Sequence, residues 1–296
     1  MQHRKMGSLP ERNDTIETIN ITNAETDAHG AKKENTFIAL NQDGGYLGSL
    51  RIYPFYDEDI EPEHPHNLYL HLHSPEGQEM SPAARDPLLA QALRRAKEIK
   101  REAQQTKTRV YACLLKQQQE EIAYFLRRGF THDEEMYILE RYAAEAPRPA
   151  DAPQGTAIQV WSMATPADQH RFIEVHRTVF PRHPYSTESL RELQSLPDWR
   201  NYTAFDEDEI VGNIMVYVQR DGAGIGYIED LFVLKPWRQR GLGRCLVTTA
   251  LVYFHSIGVD RVRLEVWSAN RPALHLCGAL GFSAIDETEI AVGRYV

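Results

Sequence analysis

Three arginines and two glycines crowd into "LKPWRQRGLGRC", residues 234–245: Arg238, Arg240 and Arg244 with Gly241 and Gly243. The stretch lies where a strand-like run gives way to a helix-like one. Amide N–H groups at a helix start have no partner inside the helix, and together with the helix dipole they attract anions. Glycines let an anion approach that backbone without a Cβ in the way, and arginines add charge. The pattern Arg238-x-x-Gly241-x-Gly243 therefore points to a diphosphate. No Gly-Lys-Ser/Thr follows, which excludes a Walker loop, and the spacing fits the G-x-G-x-x-G fingerprint poorly. A solvated basic face is the other reading of such arginines, and it stays open for Arg240.

The elements that must position this loop follow from the pattern around it. "AIQVWSM" alternates as a strand, "PADQHRFIEVHRTVF" has helical spacing, and "STESLRELQSL" opens with Ser and Glu in capping order. "NYTAF", "IVGNIMVYVQ" and "GIGYIEDLFVL" read as three antiparallel strands. After the loop come a helix ended by Gly258, the strand "VRLEVW", a short helix stopping at Gly281, and a final strand or pair. The order is strand, two helices, three strands, helix, strand, helix, strand, an α+β layer on a mixed sheet.

The alanine- and proline-rich "YAAEAPRPADAPQGTAIQ" reads as a semi-rigid linker, which predicts domains at 1–148 and 157–296 joined by 149–156. The two sides match each other in order: Gly48 with Gly212, Tyr53 with Tyr217, Gly129 with Gly281, Phe130 with Phe282. A duplicated fold is expected.

Composition sets the outer bounds. The formal charge of −9 argues against nucleic acid as a partner and leaves room for a small cationic substrate. No apolar run approaches the roughly 18 residues of a membrane span, and the opening "MQHRKMGSLP" lacks a secretory stretch, so a cytoplasmic protein without a membrane partner is expected. Cys113, Cys245 and Cys277 are neither a disulfide framework nor a zinc spacing. His64, His66, His71 and His73 lack carboxylate or cysteine partners at a recognisable spacing, and no metal is expected.

With the loop, the strand before it and "VRLEVWSAN…ALHLCGALGF" in place, residues 157–296 resemble the core of the GNAT N-acetyltransferase superfamily. The resemblance implies two GNAT-like domains in tandem, each a mixed, mostly antiparallel sheet flanked by helices. It implies acetyl-CoA as cosubstrate, with Leu231, Phe232 and Val233 along the pantetheine arm. Arg238, Gln239, Arg240, Gly241, Leu242, Gly243 and Arg244 would lie around the pyrophosphate. Asn270 matches a family asparagine that contacts the cofactor arm, and it is equally placed to cap the helix behind it. Glu229 and Asp230 are neighbours on a strand and are expected on opposite faces. Glu229 is the expected general base, with a carboxylate that only hydrogen-bonds a neighbouring segment as the alternative. Where many members carry a tyrosine that protonates the departing thiolate, this chain has Cys277. A thiol acid there, or inert packing, are both open.

The first half resembles a shortened and degraded repeat. Gln78-x-x-Ser81-x-Ala83 replaces the pyrophosphate pattern, Pro82 removes an N–H, and Tyr69 and Leu70 stand where the second half has Glu229 and Asp230. Its expected task is to support the second domain and to wall the acceptor site. The implied activity is acetyl transfer to a primary amine of a small molecule by direct attack in a ternary complex, in a monomer or homodimer. The alternatives are mycothiol-synthase-like acetylation of a cysteinyl amine, protein or peptide N-acetylation, and non-catalytic acyl-CoA binding.

Overall fold

The computed structural model describes residues 18–27, 31–55, 66–75, 80–105, 107–142, 148–180, 184–220 and 224–296. Gln78 and His64 lie outside them. The chain divides into two compact units, one ending at Val110 and also holding Tyr295–Val296, the other Tyr111–Arg294. That division falls ahead of the compositional linker, because segments from the first half pack within the second unit.

In the first unit, strands β1 (Asn20–Asn23), β2 (Thr36–Leu40), β3 (Tyr46–Phe55) and β4 (His66–His73) pair in that order, each antiparallel to the next. Helix α1 (Pro82–Glu102) begins at Ser81, whose hydroxyl accepts from the Ala84 N–H. A side chain of the protein thus occupies the helix start that the second half leaves to backbone alone. Gly48 lies under Met80: a Cβ there would come within 2.4 Å of the Met80 methyl.

The second unit begins along β5 (Thr108–Leu115), continues through α2 (Gln119–Leu126) and β6 (Thr131–Tyr142), and after the linker runs β7 (Thr156–Val160), α3 (Pro166–Val179), α4 (Thr187–Gln194), β8 (Arg200–Asp206), β9 (Glu209–Gln219), β10 (Ile225–Val233), α5 (Leu242–Ser256), β11 (Arg261–Trp267), α6 (Arg271–Ala279) and β12 (Ser283–Tyr295). The order after the linker is the one read from the sequence. It recurs before the linker: β2, β3, β4, α1, β5, α2, β6 correspond to β8, β9, β10, α5, β11, α6, β12. Among the described residues between β1 and β2 there is a short 3-10 turn, Lys33–Asn35, where the second half has α3 and α4.

The sheet of this unit is ordered β5-β12-β6-β11-β10-β9-β8-β7. Strand β6 is inserted between β11 and β12 and pairs antiparallel with both. The β10–β11 pair is parallel. One face packs on α5, with Leu246, Val247, Ala250, Leu251 and Phe254 against Val216, Ile228, Val262 and Leu264. The other packs on α3 and α4 through Phe172, Ile173 and Leu190 against Met215 and Phe232. Capping boxes start both of these helices: Thr165 with Asp168 on α3, Ser186 with Ser189 on α4. The α4 box thus closes through Ser189 rather than the glutamate, since Glu188 stands one residue too early to reach back.

Candidate functional site

The site is built around a strand that slips register. Ile228 pairs with Val216 of β9, but the next pair is Asp230 with Met215, which leaves Glu229 as the extra residue of a β-bulge. Parallel pairing of β10 with β11 covers Gly226–Ile228 against Val262–Leu264 and stops there. Beyond that point β10 keeps pairing with β9 as far as Val233, and β11 with β6 as far as Trp267. The two strands therefore part, and Leu231–Val233 and Glu265–Trp267 have no ladder partner along their facing edges. An extended chain could lie along the exposed edge groups.

The cleft leads to the arginine-rich loop. Gly241 is the residue before α5, with φ +88°, and no side chain caps the helix there. A Cβ at Gly241 would meet no protein atom within 4 Å. Open space in front of an uncapped helix start is the arrangement that accepts an anion. Gln239 is also left-handed, at φ +60°. Arg238 donates from Nε to the Val233 carbonyl at 2.9 Å, which ties the loop to the strand end. Arg240 is exposed and lies over the Trp237 ring, 4.7 Å from its centroid. Arg244 is exposed in the first turn of α5. The side chains of Phe232 and Leu242 are buried in the two cores, so either can offer only backbone groups. Asn270 caps α6 by accepting from the Ala273 N–H at 3.2 Å. The loop fits a diphosphate by its free helix start, its open space and its three arginines.

Glu229 and Asp230 do not take opposite faces. The extra residue at the bulge breaks the two-residue alternation: Ile228 packs on the α5 side, whereas the Tyr185 hydroxyl, its pKa raised first by burial, is raised further by both carboxyls. Glu229 is exposed at the sheet surface. Protein packed round its carboxyl, and then the charge of Glu265, raise its pKa. Asp230 is buried, and burial followed by the charge of Glu229 pushes it up to about 8. Glu265 occupies the matching position on β11, since Tyr227 pairs with Arg263 two residues earlier on each strand. Its own carboxyl is raised by burial and by Glu289 of β12. Glu229, Glu265 and Glu289 have no ion-pair partner among the described residues. Tyr217 and Tyr227 stack beside them, centroids 5.5 Å apart, and burial and Glu229 push the Tyr217 hydroxyl up to about 12.

Cys277 is 1 % exposed, packs in the core beneath α6, and is pushed up to about 11 by burial. Such a thiol is a poor acid and a poor nucleophile near neutrality. His176, Tyr185, Tyr217 and Glu265 also converge on the site. Their residue types alone gave no signal, although His176 and Tyr185 fall in "HRTVFPRHPYSTESLRELQSLPDW", the segment between the first two strands of this half. Among the described residues no group of three or more His, Cys, Asp or Glu could hold a metal ion, and no helix is long and apolar enough to cross a membrane.

The acetyltransferase (GNAT) family model matches residues 170–282, which covers the bulge, the cleft and the loop. The chain is 36% identical over 100 residues to N-alpha-acetyltransferase MAK3 of Arabidopsis thaliana, covering 33% of this chain and 53% of that protein. It is 27% identical over 187 residues to a mycothiol acetyltransferase of Nocardioides sp., covering 56% of this chain and 63% of that protein. The chain thus spans between half and two thirds of the length of these relatives. Among solved structures, a GCN5-related N-acetyltransferase from Anabaena variabilis superposes with a TM-score of 0.56 at 13% identity, over 90% of this chain and 63% of that one. The likeness is one of fold.

Proposed function

From the premise that this chain belongs to the GNAT acetyltransferase family, we propose that it transfers an acetyl group from acetyl-CoA to a primary amine of a small cationic molecule. The observation that carries the reading is the bulge at Glu229, where an accessible carboxylate of raised basicity stands at the mouth of a strand-edge cleft that ends on an uncapped, open helix start.

Acetyl-CoA supplies an acetyl group already activated as a thioester. The amides of Gly241–Arg244 and the guanidinium groups of Arg238, Arg240 and Arg244 hold its diphosphate, and the free edge of Leu231–Val233 orients its arm. Glu229, directly or through a water, takes the proton that the attacking amine must lose. In this reading a backbone N–H near Val233 stabilises the negative charge that develops on the acyl oxygen. Cys277 takes no part, so acyl transfer is direct, without a covalent enzyme adduct.

The acceptor class rests on the acidic face. Glu229, Glu265 and Glu289 repel one another, and a cationic acceptor relieves that repulsion while placing its amine by Glu229. The longer of the two relative matches, to a protein named as a mycothiol acetyltransferase, also supports a small molecule over a peptide. The test is acetyl-CoA consumption, followed by thiol release, over a panel of small amines and peptide N-termini. Turnover of small cationic amines supports the reading. Turnover of peptides alone moves the acceptor class, and binding of acetyl-CoA without turnover of any amine turns the protein into a non-catalytic binder.

A further inference from the structure

Behind the bulge lies a buried pair that acetyl transfer as described does not use. His176, 3 % exposed, comes from α3 and stands with Nε2 3.8 Å from Oδ2 of Asp230. Among the described residues, neither Oδ2 nor the second ring nitrogen, Nδ1, has a hydrogen-bond partner. Four rings enclose the imidazole: Tyr185 at 4.3 Å, Phe180 at 4.8 Å, Phe172 at 5.7 Å and Phe232 at 6.4 Å between centroids. Among the described residues, the titratable groups facing this box are Asp230 and Tyr185. On its other side Asp230 feels Glu229, and Glu229 in turn faces Tyr185, Tyr217 and Glu265.

We propose that His176 is a positioning residue whose Nε2 accepts the proton of Asp230, drawing that carboxyl toward α3 and away from Glu229, so that Glu229 alone is the anionic base at the bulge. The inference rests on the reading of Glu229 as base. A lone charge on either member of the pair, walled by aromatic rings, is disfavoured by burial more than it is helped by a partner at 3.8 Å, where no hydrogen bond forms. Burial accordingly pushes Asp230 up to about 8 and His176 down to about 4. Between these limits the pair holds one transferable proton and no net charge. That proton has two acceptors to choose from: Nε2 of His176, or the neighbouring carboxylate of Glu229. Donation to Glu229 would stabilise its anion and weaken it as a base. The imidazole competes for the proton, and a small rotation from 3.8 Å completes the bond.

His176→Phe keeps an aromatic ring in the box and removes the acceptor, whereas His176→Gln restores an acceptor that does not titrate. The measurements are the pH profile of kcat/KM, the KM for acetyl-CoA, and the melting temperature. In the Phe variant the acidic limb moves down by about one pH unit and the plateau falls about tenfold, with KM for acetyl-CoA unchanged. The Gln variant returns the limb to its wild-type position. A Phe variant slower at every pH with an unmoved limb, or a Gln variant that behaves like Phe, overturns the proposal in favour of packing alone. Should the Phe variant not fold, the 15N spectrum of histidine-labelled wild-type protein at pH 6 decides. The neutral Nδ1–H tautomer is expected for His176, and the Nε2–H tautomer or an imidazolium contradicts it. This spectrum reads the pair even if no amine is acetylated, so a failure of the enzymatic reading and a failure of the pair remain distinct.

Discussion

Arg238 reaches back from the loop before α5 to donate its Nε hydrogen bond to the carbonyl of Val233, the last residue of β10, at 2.9 Å. One side chain thereby joins the two surfaces that a coenzyme would touch, the free strand edge and the helix start. Arg238→Ala is expected to weaken acetyl-CoA binding by about tenfold, the scale of one charge-assisted hydrogen bond. Calorimetric titration measures it, and an unchanged Kd contradicts the role.

The helix starts of the two halves should respond oppositely to substitution. Gly241 has φ +88° with open space ahead, so Gly241→Val strains the backbone and puts a branched side chain where the proposed diphosphate would sit. Loss of measurable acetyl-CoA binding is expected. At Ser81 the hydroxyl serves the Ala84 N–H, so Ser81→Ala is expected to cost about 1 kcal/mol of stability and to leave acetyl-CoA affinity unchanged. Weakened binding in the Ser81 variant would mean that the first half also holds the cosubstrate.

Cys277 should be chemically silent. Its thiol lies in the core and is pushed up to about 11, so incubation with acetyl-CoA alone should add no 42-Da-scale acetyl mass, roughly the mass of one acetyl group replacing a proton. Cys277→Ala should retain kcat/KM within about threefold, any loss reflecting packing. Stoichiometric acetylation of the wild type without an acceptor would replace direct attack by a relay.

Stability should depend on pH through the buried pair. Asp230 has a raised folded pKa, so what it contributes to stability is complete below about 4 and is lost as pH climbs through about 8. The gain in melting temperature from Asp230→Asn should therefore grow between those values and then level. His176 has a lowered folded pKa, so its contribution is complete above about 6.5 and lost as pH falls toward 4. Thermal denaturation across pH 4–9 measures both, and a pH-independent difference between wild type and Asp230→Asn contradicts burial of a neutral acid.

The sequence made the arginine loop and the element order of the second half legible, because both are local: helical spacing, caps and glycines act over a few residues. The matches of Gly48 with Gly212 and Gly129 with Gly281 likewise anticipated the recurrent order of strands and helices in the two halves. Insertion of β6 between β11 and β12 was not legible, since it joins residues over a hundred positions apart. Nor was the bulge. Two-residue alternation put Glu229 and Asp230 on opposite faces, and only the register against Val216 and Met215 reveals the extra residue. Asn270 carried two readings in the sequence, and the cap is the one its side chain makes. His176 and Tyr185 read as ordinary residues of a helix and a loop, because their meaning comes from the ring box around His176, of which Tyr185 is one wall, and from Asp230 beside it.

The most direct test of the account is the pH–rate profile of wild type against Glu229→Gln, which keeps the shape of the side chain and removes its basicity. With a small cationic amine as acceptor, kcat/KM should fall by about 10²-fold and the acidic limb should disappear, while acetyl-CoA affinity stays at the wild-type value. A Glu229→Gln enzyme that keeps its full rate and its limb, while Asp230→Asn loses both, would contradict the account and assign the base to Asp230.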